Sequence, residues 1–207
     1  MNRLTICLCL VLLFSASLLS AQEGTDSVRV GEMRYAVPQI WLGLRMGPAD
    51  AQPPDDLVPL PDSLCSSDGE FYLRLEARDA FVAMSQAAYR DGIVFPVNSS
   101  FRSVETQRSL IQKRLAMGRT FEDIAWSVAP PGYSEHMLGT TVDLHLGPNR
   151  GKGTAYAWLS EHAWKFGFVE SYPYDPTQLF PYEPWHWRWR GPQPAPMALP
   201  KSGEHGK

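Results

Sequence analysis

Apolar residues recur at helical spacing in four stretches of the chain. The longest apolar stripe predicts a helix. Ser67 and Asp68 are favourable N-cap residues at its start, and Gly92 is a stop signal at its end. Its apolar positions are Leu73, Ala77, Phe81, Met84 and Ala88. Three further helices are predicted, from the cap Ser103 to Gly118, from the cap Thr120 to the residues before Pro130, and from Thr154 to Gly167.

Short strand-like segments lie mostly after the first helices. They are "IVFPVN" at 93–98, "TTVDLHL" at 140–146 and "FVESY" at 168–172. Helices that come first and short strands that cluster later predict an α+β fold, in which helices pack on a small antiparallel sheet.

The chain begins with a pattern typical of export. Residues 1–21 carry one basic residue, Arg3, then an apolar run and small residues, which predicts a secretory signal peptide cleaved after Ala21. Because Leu19 is bulky for a position two before the cut, an uncleaved membrane anchor is the alternative. Either way we expect a domain that is exported to the periplasm or the cell wall, with no stable membrane insertion once a signal peptide is removed.

Two other segments lack sustained periodicity. Residues 22–68 are rich in Pro, Gly and Asp, which predicts an irregular N-terminal arm laid over the domain. Residues 192–207 predict a flexible tail. The folded domain is therefore expected at 69–191.

Composition narrows the class of protein further. A chain of 207 residues with 44% hydrophobic content is long enough for one domain with a sizeable core. Its net charge of -3 gives no basic surface of the kind that nucleic acid requires. Since Cys65 is the one cysteine outside the leader, no internal disulfide can form, and the core or a metal must hold the fold.

Two ionisable residues interrupt a segment that otherwise predicts a buried strand. In 140–146, alternation sends Val142, Leu144 and Leu146 to the core and Thr141, Asp143 and His145 to the opposite face. His136 precedes this strand, and Gly139 between them allows the backbone to turn.

A second cluster, "YEPWHWRWRG" at 182–191, places Glu183 and His186 among tryptophans. Each histidine alone is explained by a hydrogen-bonded core position. Together, His136, Asp143 and His186 supply two nitrogens and one oxygen, a set that suits a tetrahedral Zn²⁺ with its fourth position open to water. Glu183 is then free to act as a base towards that water. Residues three apart in a regular strand face opposite sides, but Pro184 predicts a bend that brings Glu183 and His186 together.

These motifs also carry a family resemblance. "SEHMLGTTVDL" with "EPWHWRW" resembles the VanY-type zinc D-alanyl-D-alanine carboxypeptidases and their L,D-carboxypeptidase relatives. The likeness extends to "SSFRSVETQ" and "WLSEHAWKFGFVESYP" and covers roughly residues 70–191. It implies a hedgehog/D,D-peptidase-like fold whose sheet carries the zinc site. Two positions depart from the family pattern: Thr141 replaces a usual alanine, and Ser171 replaces a common arginine.

The resemblance assigns roles residue by residue. It implies that His136, Asp143 and His186 bind zinc, that Glu183 is the base, and that Arg102, Gln107 and Ser134 face the substrate. A guanidinium such as that of Arg102 suits a terminal carboxylate or a developing oxyanion, so this residue is expected to assist catalysis as well as binding. The family pattern does not use His145, which we expect to support a ligand from outside or to line the cleft.

The function expected from the sequence is removal of the C-terminal D-alanine from peptidoglycan stem peptides by metal-activated water. One alternative is a non-catalytic, zinc-stabilised module that binds peptidoglycan. Another is an endopeptidase or dipeptidase on the same scaffold. The choice between D,D and L,D bonds stays open at this point, because it depends on cleft walls.

Overall fold

A four-stranded antiparallel sheet forms the centre of the fold in a computed structural model, which describes residues 26–193 except positions 49, 68 and 178. The proposed signal peptide at 1–21 and most of the proposed tail lie outside the described residues. The strands are β1 (Ser27–Val30), β2 (Met33–Ala36), β3 (Leu57–Pro59), β4 (Tyr72–Arg74), β5 (Val97–Ser99), β6 (Thr141–Leu144), β7 (Phe168–Glu170) and β8 (His186–Trp189). The α-helices are α1 (Leu75–Arg90), α2 (Val104–Ala116), α3 (Phe121–Ala125) and α4 (Thr154–His162).

The central sheet has the strand order β5-β6-β8-β7, and all of its pairings are antiparallel. Val142 and Leu144 of β6, and Leu146 just beyond it, are buried in the main hydrophobic cluster, as the alternation predicts. Helices α1 and α4 contribute Phe81, Met84 and Leu159 to that cluster. The predicted α+β class, with helices on a small antiparallel sheet, is confirmed.

The first helix begins later than its apolar stripe suggests. Ala77, Phe81, Met84 and Ala88 are fully buried on one face, as predicted. Leu73, however, lies in β4, where it pairs with Val58 of β3, and the helix begins only at Leu75. The predicted start at Ser67 and Asp68 is therefore wrong, because pairing with a distant segment determines the conformation of residues 72–74.

Local capping signals place the next two helices correctly. The Ser103 hydroxyl accepts a hydrogen bond from the Thr106 amide at 3.0 Å, and the Thr120 hydroxyl accepts one from the Asp123 amide at 3.2 Å. The strand predicted at 93–98 starts only at Val97, since the proline before it has no amide to donate to a ladder.

The N-terminal segment contains more regular structure than expected. β1 and β2 form a hairpin, and Val28 and Val30 pack with Ile111 of α2 and Phe121 of α3 in a second hydrophobic cluster. The prediction of an entirely irregular arm at 22–68 is therefore corrected. Strands of four residues are too short for their alternation to be recognised in the sequence. None of the helices in the described part of the chain combines the length and the apolar character that crossing a bilayer requires.

Candidate metal centre and substrate cleft

Strand pairing brings the two distant sequence motifs together. β6 and β8 are the inner strands of the sheet, and their register places Asp143 directly opposite His186. The two side chains meet at 3.0 Å between Asp143 Oδ1 and His186 Nδ1. The sheet itself therefore sets the distance between a carboxylate and an imidazole that lie 43 residues apart in the chain.

His136 reaches the same point from a short 3₁₀ turn, Glu135–Leu138. Ser134 caps the turn by accepting a hydrogen bond from the His136 amide at 3.4 Å, and Gly139 ends it at φ 69°. Glycine suits the position because of its positive φ, and a Cβ there would lie 2.8 Å from Leu57 Cδ2, so the leucine side chain would have to shift. This confirms the turn that the sequence predicts between His136 and the strand.

Hydrogen bonds determine which ring nitrogen each histidine presents. His136 Nδ1 lies 2.7 Å from the carbonyl oxygen of Ser100, so it must carry the proton, and Nε2 faces Asp143 Oδ2 at 3.1 Å. His186 Nε2 lies 3.2 Å from Glu135 Oε2, which leaves Nδ1 to face Asp143. Both histidines thus aim one nitrogen at the same carboxylate.

The donor set fits a zinc ion. One ligand atom from each of His136, Asp143 and His186 lies within 4.8 Å of the others. Two imidazole nitrogens and one carboxylate oxygen are a common three-ligand set for zinc with an open fourth position. Each histidine also has its other ring nitrogen within hydrogen-bond distance of an oxygen, which is the usual arrangement around metal-binding imidazoles.

Glu183 lies near the three candidate metal ligands, but it is farther from His186 than Asp143 is. Its Oε2 is 3.7 Å from His186 Nδ1. The chain bends at Pro184, and the His186 amide donates to the Glu183 carbonyl at 3.0 Å, which turns both side chains to one side. The bend predicted from Pro184 is therefore present. Burial raises the pKa of Glu183 to about 7, and the carboxylates of Asp143 and Glu135 add to this effect while His186 opposes it.

The surroundings shift the pKa values of the three candidate metal ligands in different directions. Burial opposes a charge on His186, but its hydrogen bonds to Asp143 and Glu135 outweigh burial and raise its pKa to about 9. Burial lowers the pKa of His136. Asp143 stays ionised despite its burial, because His136 and His186 lower its pKa strongly.

The predicted substrate residues lie in the same cleft. Arg102 donates to Gln107 Oε1 and to Ser99 Oγ, each at 2.8 Å, and Gln107 Nε2 donates in turn to the Ala129 carbonyl at 2.6 Å. All seven residues to which the family resemblance assigns a role line this cleft: Arg102, Gln107, Ser134, His136, Asp143, Glu183 and His186. Their individual roles remain predictions.

His145 does not belong to the cleft. Its side chain is exposed, and its backbone amide donates to the Pro96 carbonyl at 2.7 Å. The expectation that it supports a ligand or lines the cleft is wrong, because β6 ends at Leu144 and the chain has left the site by the next residue.

Glu135 is a site residue that the sequence analysis overlooked. Only 5% of it is exposed, and its carboxylate contacts His186, Ser171 and Arg188. Although burial opposes its ionisation, hydrogen bonds from these three side chains lower its pKa to about 2. The sequence signal that could have identified Glu135 is its position between Ser134 and His136, two residues already expected in the site. Thr141, one of the family departures, also holds this turn, since its hydroxyl donates to the Glu135 carbonyl at 3.2 Å.

Comparison with known proteins agrees with this geometry. Residues 70–192 match the family described as VanY, D-alanyl-D-alanine carboxypeptidase. The chain belongs to this family. A VanY-family relative, a D-alanyl-D-alanine carboxypeptidase of Enterococcus faecalis, is 37% identical over 117 residues, which are 51% of this chain and 43% of the relative. The chain spans about half the length of the curated relatives it matches.

Solved structures of related peptidases share the fold. The LdcB LD-carboxypeptidase has a TM-score of 0.64 and 27% identity, with 82% of this chain and 86% of that chain covered. A variant of the D,D-pentapeptidase VanY in complex with Zn(II) has a TM-score of 0.50 and 28% identity, with 64% and 83% covered. The VanY-family fold expected from the motifs is confirmed.

Proposed function

We propose that this chain is an exported zinc metallopeptidase that removes the C-terminal D-alanine from peptidoglycan stem peptides. The observation that carries the proposal is the convergence of His136, Asp143 and His186 in a cleft that also holds Glu183, a carboxylate not needed to bind the ion. The D-alanyl-D-alanine carboxypeptidase relative, the LdcB neighbour and the Zn(II) complex of VanY support the activity, the substrate class and the metal.

His136 Nε2, His186 Nδ1 and an oxygen of Asp143 would hold the metal. When bound, zinc supplies a water whose pKa is lowered to about 7 and polarises the carbonyl of the scissile bond. Glu183 takes the proton of the attacking water and later delivers a proton to the leaving amine of D-alanine. This role is supported by the bend at Pro184, which keeps the Glu183 side chain beside His186.

Arg102 is the candidate for binding negative charge. A guanidinium has five N–H donors, so the contacts to Gln107 and Ser99 fix its plane and leave donors for the substrate. These donors suit the terminal carboxylate of the peptide or the oxyanion that develops during attack. Ser134 can add a hydroxyl at the same cleft, and buried Gln107 keeps Arg102 oriented.

The experiment uses purified protein with zinc, given the stem pentapeptide and tetrapeptide separately, followed by mass analysis for loss of one alanine. We expect one of the two peptides to be shortened, which also separates D,D from L,D specificity. Glu183→Ala should keep the metal and lose about 10²–10⁴-fold in turnover. The matched control is Glu161→Ala, an exposed glutamate on α4, which should behave like wild type.

Three outcomes would contradict parts of the proposal. If Glu183→Ala cleaves as fast as wild type, Glu183 is not the base. If the protein binds peptidoglycan without cutting it, and loses its fold when zinc is removed, it is a binding module. If internal bonds are cut or a dipeptide is released, the scaffold serves an endopeptidase or dipeptidase.

Export is proposed from residues 1–21. We expect secreted protein to begin at Gln22, and the mass of the mature N-terminus measures this directly. A full-length N-terminus in the membrane fraction would instead support the uncleaved anchor.

A further inference from the structure

His186 must be neutral to bind a metal, and two carboxylates then compete for the single proton that it keeps. Asp143 Oδ1 lies 3.0 Å from Nδ1, and Glu135 Oε2 lies 3.2 Å from Nε2. A neutral imidazole carries its proton on one nitrogen at a time. If the proton sits on Nδ1, the nitrogen that faces the metal position has no lone pair to offer. A neutral His186 can therefore bind a metal through Nδ1 only if its proton lies on Nε2, the nitrogen that faces Glu135.

The carboxylate of Glu135 is held by two other segments of the chain. Arg188 Nη1 of β8 donates to Oε1 at 2.8 Å, and Ser171, just after β7, donates to Oε2. Glu135 itself is 5% exposed, so its charge is stable there only because these donors satisfy it. The network joins the 3₁₀ turn that carries His136 to the strand that carries His186.

The geometry of Arg188 shows that its guanidinium is oriented towards Glu135. Its Nε is buried and has no hydrogen-bond partner among the described residues. A buried unpaired donor costs free energy, so this orientation is not the one that would best satisfy Arg188 alone. At position 171 the family commonly has arginine, whereas this chain has serine. Arg188 is the closest guanidinium to Glu135 within the described chain.

We propose that Glu135 is a positioning residue for the metal centre, and that Arg188 and Ser171 fix its carboxylate so that His186 presents an unprotonated Nδ1. The inference rests on the proposed function for the identity of the metal. It adds a role for a residue outside the three proposed ligands. Glu135 acts through His186, so its removal should weaken metal binding before it alters any later step.

The first test is zinc affinity, measured by competition with a chromophoric chelator. Glu135→Gln keeps the shape of the side chain but replaces the carboxylate by a weaker acceptor. We expect zinc to bind about 10–100-fold more weakly, the range seen when such outer partners of metal ligands are changed. Glu161→Gln is the matched control, because that side chain is 77% exposed, and its affinity should equal that of wild type.

A second variant separates positioning from a purely structural role. In the double variant Glu135→Met with Arg188→Met, both charges are replaced by apolar side chains, which often leaves stability unchanged. We expect its zinc-free unfolding midpoint to return close to the wild-type value while zinc affinity stays about 10–100-fold low. If affinity recovered together with stability, Glu135 would serve only the fold, and the inference would be wrong.

The tautomer can also be observed directly. Two-bond ¹H–¹⁵N correlation spectra of the zinc-loaded wild type should show the His186 proton on Nε2. In zinc-free Glu135→Gln, at a pH where His186 is neutral, we expect the proton to shift towards Nδ1. Wild-type zinc affinity in Glu135→Gln would overturn the inference while leaving the proposed function intact. A wild-type protein that binds no zinc would overturn the proposed function first, and the inference with it.

Discussion

Trp41 connects the N-terminal segment to the wall of the cleft. The residue is 5% exposed, its Nε1 donates to the Ala125 carbonyl at 2.7 Å, and its ring meets that of Phe180 edge-on with centroids 4.8 Å apart. Trp41→Ala removes this ring from the second hydrophobic cluster and leaves the carbonyl of Ala125 without its donor. Truncation of a buried tryptophan costs about 3–5 kcal/mol of unfolding free energy. Trp41→Phe keeps most of the ring and loses the N–H, so about 1–2 kcal/mol is expected.

The assay is urea unfolding at fixed zinc concentration, followed by far-ultraviolet circular dichroism so that the lost tryptophan does not affect the signal. Trp126→Ala is the control, since this tryptophan lines the same cleft but is 53% exposed, and it should cost less than about 1 kcal/mol. If Trp41→Ala cost no more than Trp126→Ala, the N-terminal segment would not be part of the cooperative unit. Trp41 would then not couple this segment to the wall of the cleft.

Two further predictions concern the turn before β6 and the acid stability of the N-terminal segment. Gly139→Ala should cost at least about 1–2 kcal/mol for its φ of 69°, plus the contact with Leu57, and should lower zinc content. Gly92→Ala, at φ 73° with open space around it, is the control, and equal costs in urea unfolding would mean that the contact is unimportant. The hydrogen bond from Arg45 lowers the pKa of Asp26, so its stabilising effect is present above the unfolded pKa and is lost as pH falls through the folded value. Asp26→Asn should therefore flatten the acid limb of unfolding free energy against pH, and an unchanged limb would argue against this pairing.

Local signals in the sequence predicted α2 and α3 together with their caps. Ser103 and Thr120 act within three residues of themselves, so a short window contains the whole interaction. The stripe of α1 was readable for the same reason. The start of α1 was not, because Leu73 belongs to a pairing with Val58, fifteen residues earlier and on another strand.

Two of the candidate metal ligands could be proposed from the sequence because their residue types are unusual on a strand face. Asp143 and His186 are ionisable residues among apolar neighbours, and Pro184 predicts the bend beside Glu183. The contacts of Glu135 carry no such signal, since Ser171 and Arg188 lie 36 and 53 residues away. Only the folded sheet shows that these side chains meet.

The direct pairing of Asp143 with His186 on the two inner strands has a consequence for how the ion is acquired. Backbone hydrogen bonds on both sides of each strand hold these donors in register whether or not an ion lies between them. Small zinc domains must fold and bind in one event, because their ligands come together only around the ion. If the proposed ion binds at this site, we therefore expect it to be loaded and lost without unfolding of the chain.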